Sequence, residues 1–407
     1  FIILYDEFFC FYQENDKKTY NVMRWFYMLK KGLCLLIGIM MLFCQINVVH
    51  ATNLASGAES AILIDANSQQ VLYHKNETKR LYPASTTKIM TMILLFEAIK
   101  EKRINWNDTL SCSAYAASMG GSQVYLEENE KMSVNELFKC VAIASANDAS
   151  VLIGEGIAGS HQEFVKMMNE KAKQLKLVNT HFKNCTGLHD VEHYTCAKDL
   201  ATMGAYLIKI GGKKLFSVTS LYDSYIREKN HQKFWLVNTN KLLKQYQGVD
   251  GLKTGYTKEA GYCIVTTCKK DNLRLIGVLM NEDKPQTRNE DMKGLLNYGY
   301  SKYQQIKLYS KGEVLDTLKI KDLVDQEVKV ITPKDIYYLN DRASKGKVKT
   351  KIKYNQIELP VFKNQEIGEL VVKKQNKTIA SYSLYLEKDV KKMNFLDKLL
   401  RVYKSLI

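Results

Sequence analysis

The sequence predicts an α+β protein in three folded parts: a large domain that mixes helices with strands, a small all-β domain, and a C-terminal amphipathic helix. Long helical runs interspersed with strand text over residues 52–303 predict the first. Short alternating segments over 304–388 predict the second, and a return to helical spacing over 389–407 predicts the third. With 407 residues, 46% hydrophobic and 25% charged, the chain can bury one large core and a smaller one.

Residues 1–51 are expected to stand outside that fold. Residues 1–22 precede the first methionine, Met23, and read as leader; Arg24, Lys30 and Lys31 then precede an apolar run, Gly32 to Phe43, and the small-residue pattern Val49-His50-Ala51. A basic start, a short apolar stretch and a cleavage pattern make a signal peptide, and the run falls short of the roughly 20 residues that a membrane helix needs. The mature chain is expected to begin near Thr52.

The fold opens on a hairpin, Ala61 to Ile64 and Val71 to Tyr73, around a turn at Asp65-Ala66-Asn67-Ser68. After Pro83, Ser85-Thr86-Thr87-Lys88 leads into an uninterrupted apolar run, Ile89 to Lys102, read as a buried helix with Ser85 in its first turn. Helical text follows over Val134 to Ile157 and Gln162 to Leu175, and another helix is expected from Cys196 with Thr195 as its cap. Tyr262 to Thr267 and Leu273 to Leu279 read as core strands joined by a turn at Asp271-Asn272. The small domain's strands are expected at Val314 to Ile320, Val328 to Ile331, Lys347 to Tyr354, Ile367 to Val372 and Ile379 to Leu386.

In the last segment Val390, Met393, Leu396, Leu399, Leu400, Tyr403 and Leu406 recur on one side, with Lys391, Lys392, Lys398, Arg401 and Lys404 on the other and Asp397 as the lone later acid. A basic amphipathic helix of this kind suits an anionic membrane surface. The formal charge of +16 also points to anionic partners, and a signal peptide argues against nucleic acid. The nine Cys show neither C-x-x-C nor framework spacing, so no disulfide scaffold or zinc knuckle is read; Cys263 and Cys268, five apart in one strand, should face opposite ways.

Three short motifs carry the chemistry: Ser85-x-x-Lys88, Ser145-Ala146-Asn147 and Lys253-Thr254-Gly255. Two have decoys. Ser344-x-x-Lys347 lies in a polar Gly- and Lys-rich stretch, and Ser133-Val134-Asn135 reads as a helix cap with Glu136 three residues on. Ser85 instead opens an apolar helix, and Ser145 follows the apolar Val141-Ala142-Ile143-Ala144. A serine hydroxyl is a poor nucleophile until a base takes its proton. Positions three apart share a helix face, so Lys88 can reach Ser85, and burial with a second cation, Lys253, lowers its pKa toward neutrality. A helix N-terminus adds roughly 0.3 to 1 kcal/mol, whereas one oxyanion-hole donor contributes about 2.7 to 4 kcal/mol; the backbone amides of Ser85 and Tyr256 are the natural donors. Gly255 lets a peptide-like substrate pair with the strand, while Lys253 and Thr254 offer a positive charge and a hydroxyl to a carboxylate.

The stretches Pro83-Ala84-Ser85-Thr86-Thr87-Lys88-Ile89-Met90-Thr91, Ser145-Ala146-Asn147-Asp148-Ala149 and Asp250-Gly251-Leu252-Lys253-Thr254-Gly255-Tyr256-Thr257 resemble the low-molecular-mass penicillin-binding proteins of the D-alanyl-D-alanine carboxypeptidase family. Gly121-Ser122-Gln123-Val124, Phe182-x-Asn184 with Gly187-Leu188, and Ala260-Gly261-Tyr262 extend the likeness over Ala61 to Tyr300. The resemblance implies a β-lactamase-like catalytic domain with helices around an antiparallel sheet, a small β-rich domain and a C-terminal amphipathic anchor. It makes Ser85 the acylated nucleophile, Lys88 its base, Ser145 a proton relay, Asn147 a positioner of substrate and Lys88, and Lys253 with Thr254 the carboxylate contact, with Arg288 a looser match. It implies peptidoglycan stem peptides as substrate, β-lactams as covalent inhibitors, no metal or organic cofactor, and a location at the outer face of the bacterial cytoplasmic membrane or in the wall.

Competing readings rest on less. His189-Asp190-Val191-Glu192-His193 fits the H-x-x-E-H zinc pattern, but its neighbours place it in a loop. A β-lactamase would acylate the same serine, yet no E-x-x-L-N lies between Asn147 and Lys253 to activate a deacylating water. A wall-binding pseudoenzyme would not need all three motifs, and no G-x-S-x-G marks a Ser-His-Asp site.

Overall fold

The computed structural model describes residues 54–227, 233–319, 327–344 and 346–406, together with Trp25 and Met28. Apart from those two residues, the leader and signal-peptide readings lie outside the described residues. Strands β1 (Ser60–Asp65) and β2 (Val71–Lys75) form the opening hairpin. A 3-10 turn over Ala84–Thr87 precedes helix α1 (Lys88–Lys100), so Ser85 sits in that turn rather than in the first turn of the α-helix. Helix α1 is apolar on every side, and Ile89, Met90, Met92, Ile93, Leu94 and Leu95 are all buried, as such a helix must be.

Helix α2 (Val134–Lys139) begins where Ser133 Oγ accepts the Glu136 N–H at 3.2 Å, the cap its sequence predicts. The single helix expected over Val134 to Ile157 is broken. The chain widens into a π turn at Cys140–Ala144, Ser145 adopts φ +63°, and α3 (Asn147–Ala158) starts afresh. The Asn147 N–H leaves the helical ladder to bond Ser122 O at 2.7 Å, a tertiary contact that apolar periodicity cannot reveal. Helices α4 (His161–Gln174) and α5 (Ala197–Thr219) follow. The α5 cap is Cys196, whose sulfur accepts the Asp199 N–H, because the Thr195 backbone is engaged with Leu81.

A small hairpin, β3 (Asp223–Ile226) and β4 (Phe234–Val237), leads to three long strands, β5 (Val249–Thr257), β6 (Gly261–Lys270) and β7 (Leu273–Glu282), and then to helix α6 (Pro285–Lys302). The central sheet is antiparallel in the order β2-β1-β7-β6-β5, which leaves β5 on an edge. Ile62, Cys263, Val265, Ile276 and Val278 face the core shared with α1 and α5. Leu63, Ile264, Cys268, Leu275 and Leu279 face Met292, Leu295 and Leu296 of α6. Burial on both faces is why these strands read as continuous apolar runs. Cys263 and Cys268 lie in different cores, as their spacing predicts, and all six described cysteines are free.

Beyond α6, β8 (Tyr303–Tyr309), β9 (Val314–Leu318), β10 (Val328–Ile331), β11 (Ile336–Asp341), β12 (Val348–Tyr354), β13 (Gly368–Lys374) and β14 (Lys377–Leu386) make a two-stranded pair, β8-β11, and a five-stranded sheet ordered β9-β10-β14-β13-β12. Their core gathers Val328, Val330, Ile336, Leu370, Leu384 and Leu386. The sequence pattern did not single out β8 or β11. The helix expected over 389–407 begins only at α7 (Phe395–Leu406), because Val390 pairs with Val361 and is buried in the small domain's core, as Met393 is buried; α7 leaves Phe395, Leu396, Leu399, Val402 and Tyr403 between 58% and 77% exposed. Among the described residues no helix is long and apolar enough to cross a membrane.

Asp148 ties the loop before α2 to α3: its buried carboxylate accepts the N–H groups of Val124 at 3.0 Å and Leu126 at 3.1 Å. Asp148→Ala orphans both donors, and a urea titration is expected to show a loss of about 3 kcal/mol.

Candidate active site

Three segments, the turn before α1, the start of α3 and the loop at Thr186, converge on one nitrogen. Lys88 Nζ donates to Ser85 Oγ at 3.0 Å, Asn147 Oδ1 at 2.7 Å and the Thr186 carbonyl at 2.6 Å. The side chain is fully buried, and that desolvation brings its pKa down from 10.5 to about 7; the Cys185 thiol and Asp148 pull the other way without restoring it. Asn147 is held at both ends, since its Nδ2 donates to Gly120 O at 2.6 Å. Asn184 holds the third partner in place: its Oδ1 accepts from Thr186 N–H, Thr186 O–H and Gly187 N–H at 3.1, 3.0 and 2.7 Å. Once neutral, the Lys88 nitrogen has a lone pair to accept the Ser85 O–H.

Close backbone approach fixes the serine turn. A Cβ on Gly255 would lie 2.9 Å from Ser85 N and 3.0 Å from Thr86 N, so only glycine lets β5 press against the turn. Gly187, at φ +85°, lies so close that a Cβ would fall 1.8 Å from Ala84 O. Ala84 itself takes φ +46°, so both site serines adjoin or occupy left-handed backbone uncommon for non-glycine residues.

The cleft in front of this cage has a volume of about 670 Å³ and is lined by Ser85, Ser122, Ser145, Thr254, Gly255 and Tyr256 among others. Tyr256 stacks on Tyr262 at 4.3 Å between centroids. Lys88, Asn147 and Lys253 stand behind the lining. Lys253 donates to Thr254 O at 2.9 Å and is held well below the usual lysine range, first by burial and then by Lys88 and Arg288. Thr254 Oγ1 donates to Thr239 Oγ1 at 2.6 Å. The guanidinium of buried Arg288, beside the same cleft, donates to its neighbour Asn289 Oδ1 at 2.9 and 3.2 Å. The structure thus brings Ser85, Lys88 and Asn147 into direct contact, and Ser145, Thr254, Gly255 and Tyr256 onto the same cleft.

Several contributors had no local signal. Thr239 and Arg227 act at long range, with Arg227 donating to Glu130 at 2.7 and 2.9 Å and to Val124 O at 2.9 Å, which clamps the β3–β4 hairpin to the loop carrying Ser122. The His189-to-His193 segment is a loop, as its neighbours predict. His193 Nδ1 accepts the Lys183 N–H at 3.1 Å and its Nε2 bonds Thr87 Oγ1 at 2.8 Å, so both ring nitrogens are spent on structure. Burial lowers its pKa to about 4 and keeps it neutral.

A buried lysine beneath a serine at the edge of an antiparallel sheet is the arrangement that serine acyl transfer requires. The chain belongs to the peptidase S11 family of D-alanyl-D-alanine carboxypeptidases, whose model matches residues 47–284, and residues 303–392 match the C-terminal domain of penicillin-binding protein 5. It is 43% identical to the D-alanyl-D-alanine carboxypeptidase DacF of Bacillus subtilis over 90% of this chain and 96% of that one. The crystal structure of penicillin-binding protein 5 from Haemophilus influenzae superposes with a TM-score of 0.69 at 30% identity, covering 83% of this chain and 98% of that one. Penicillin-binding protein D2 of Listeria monocytogenes, solved in its ampicillin-bound form, gives 0.54 at 28% identity over 60% of this chain and 98% of that one.

Gly187→Ala tests the close approach. The added methyl meets the Ala84 carbonyl, overpacking costs about 1 to 3 kcal/mol, and the left-handed φ adds to it. The urea midpoint should fall accordingly.

Proposed function

We propose that the protein is a serine-type D-alanyl-D-alanine carboxypeptidase that removes the terminal D-alanine from peptidoglycan stem pentapeptides through an acyl-Ser85 intermediate, and that β-lactams acylate the same residue. The observation that carries the reading is the 3.0 Å contact between Ser85 Oγ and a Lys88 amine whose burial brings it to about pKa 7. Neutral Lys88 takes the Ser85 proton as Oγ attacks the penultimate D-alanine carbonyl, and the N–H groups of Ser85 and Tyr256 receive the developing oxyanion. Collapse breaks the C–N bond, and the departing D-alanine amine takes up the proton held by Lys88, relayed by Ser145. A water then repeats the sequence on the ester and restores Ser85. The terminal carboxylate rests against Thr254, with the buried charges of Lys253 and Arg288 behind it.

The same reading places the enzyme at the outer face of the cytoplasmic membrane. The leader text supplies export, and α7 lays its exposed apolar side chains, Leu396 and Leu399 among them, into an anionic surface. Replacing both leucines by glutamate is expected to abolish co-sedimentation with phosphatidylglycerol vesicles and leave penicillin binding intact.

Intact-mass analysis after incubation with a penicillin should show a stable one-to-one adduct that Ser85→Ala lacks, and Lys88→Ala should slow its formation by about 10² to 10⁴-fold. No adduct on the folded protein would sink the assignment. The pH profile follows from the sign of the lysine shift: the active base is the neutral form, present above a pKa of about 7. The second-order acylation rate should therefore be flat above that pH and fall about tenfold per pH unit below it. Stopped-flow acylation between pH 5 and 9 measures this.

A further inference from the structure

The small β domain presents a row of unpaired cations. In β12, the edge strand of the five-stranded sheet, Lys349, Lys351 and Lys353 alternate with Thr350 and Ile352, and all three lysines are exposed while the residues between them are half-buried. Alternation puts the three on one face, and two residues of strand advance about 6.6 to 6.8 Å. The antiparallel register sets Lys373 of β13 directly opposite Lys349, on that same face. None of the four makes an ion pair or side-chain hydrogen bond among the described residues. The acid opposite Lys353, Glu369, accepts a hydrogen bond from Ser381.

Lysines on an edge strand protect it against pairing with another chain. Protection alone does not call for a fourth lysine across the ladder, where like charges directly opposite each other are destabilising. We propose that this face binds a linear polyol-phosphate polymer, with successive phosphodiesters seated on Lys349, Lys351 and Lys353 and Lys373 reinforcing the first. Charge complementarity selects a polyanion in a chain already carrying +16. The one-dimensional row, with steps close to the length of one extended glycerol phosphate repeat, selects a thread over a plane of lipid headgroups. Such a contact would hold the catalytic cleft beside an anionic wall polymer independently of α7.

The test uses the full mature chain, a soluble poly(glycerol phosphate) of about ten repeats, and vesicles containing phosphatidylglycerol. The unaltered protein should bind the polymer far more tightly than free glycerol phosphate at equal phosphate concentration. The triple variant K349Q/K351Q/K353Q should bind the polymer at least tenfold more weakly, with the slope of log affinity against log salt shallower by roughly 2, near 0.7 per phosphate contact removed as for a flexible single strand. Its vesicle binding should persist, since that belongs to α7, and Lys373→Gln should weaken polymer binding by a smaller factor. Unchanged polymer affinity in the triple variant overturns the proposal, as does loss of vesicle rather than polymer binding. Self-association of the triple variant with unaltered polymer affinity would assign the row to edge protection alone. Penicillin labelling of Ser85 and the thermal midpoint confirm that the variants are folded and keep this outcome separate from the enzymatic reading.

Discussion

The constraint on which the rest of the catalytic domain depends is the burial of one lysine. Lys88 has no exposed surface, and its three hydrogen-bond partners are a hydroxyl, an amide oxygen and a peptide carbonyl, none of them a carboxylate. A buried ammonium without a charged partner is costly, and the group relieves that cost by giving up its proton. The nearby acid, Asp148, has its carboxylate committed to backbone amides. Proton affinity near neutrality is thus a property of the cage, and the cage needs contributions from the turn before α1, the start of α3 and the loop at Thr186.

Bringing those segments within 3 Å of one atom explains the irregular backbone around it. Ser145 in left-handed conformation ends the π turn so that Asn147 can enter α3 with its side chain directed at Lys88. Ala84 at positive φ turns Ser85 toward the cleft, and Gly187 and Gly255 remove the two Cβ atoms that would keep their strands and loops away. Local strain of about 1 to 3 kcal/mol at such positions is tolerated only where surrounding structure over-determines it. Here the surroundings are α1, buried on all sides, and a sheet covered on both faces.

The same facts explain what could be read from the sequence. The opening hairpin, the buried α1, α4, the β6–β7 pair and most strands of the small domain follow from periodicity and turn residues, and the S-x-x-K spacing foretold the Lys88–Ser85 contact. Apolar spacing over Val134 to Ile157 read as one helix because it runs through the π turn unbroken; what breaks it is a hydrogen bond to Ser122, remote in sequence. Thr195 and Cys196 are both adequate caps locally, and only the bridge between Thr195 and Leu81 decides between them. Thr239 and Arg227 were invisible for the same reason. Strands β8 and β11 pair only with each other and mix polar with aromatic residues, so their alternation is weak.

Lys253 sits farther from the surface than its motif suggests, and this placement bears on how the cleft recognises a carboxylate. Buried and facing both Lys88 and Arg288, its ammonium is disfavoured by desolvation and by like charge. Arg288 is depressed by burial as well, and it hydrogen-bonds a neutral amide. On the proposed reading, a substrate carboxylate seated at Thr254 would bring a negative charge to both groups. Its arrival would favour the charged form of Lys253 and pair with the Arg288 guanidinium, which stays protonated throughout, and a charged Lys253 would in turn favour neutral Lys88, the form proposed to take the proton of Ser85. On the proposed reading, recognition of the free C-terminus and activation of the nucleophile are thus linked through Lys253, and a peptide whose C-terminus is amidated lacks the charge that makes the link.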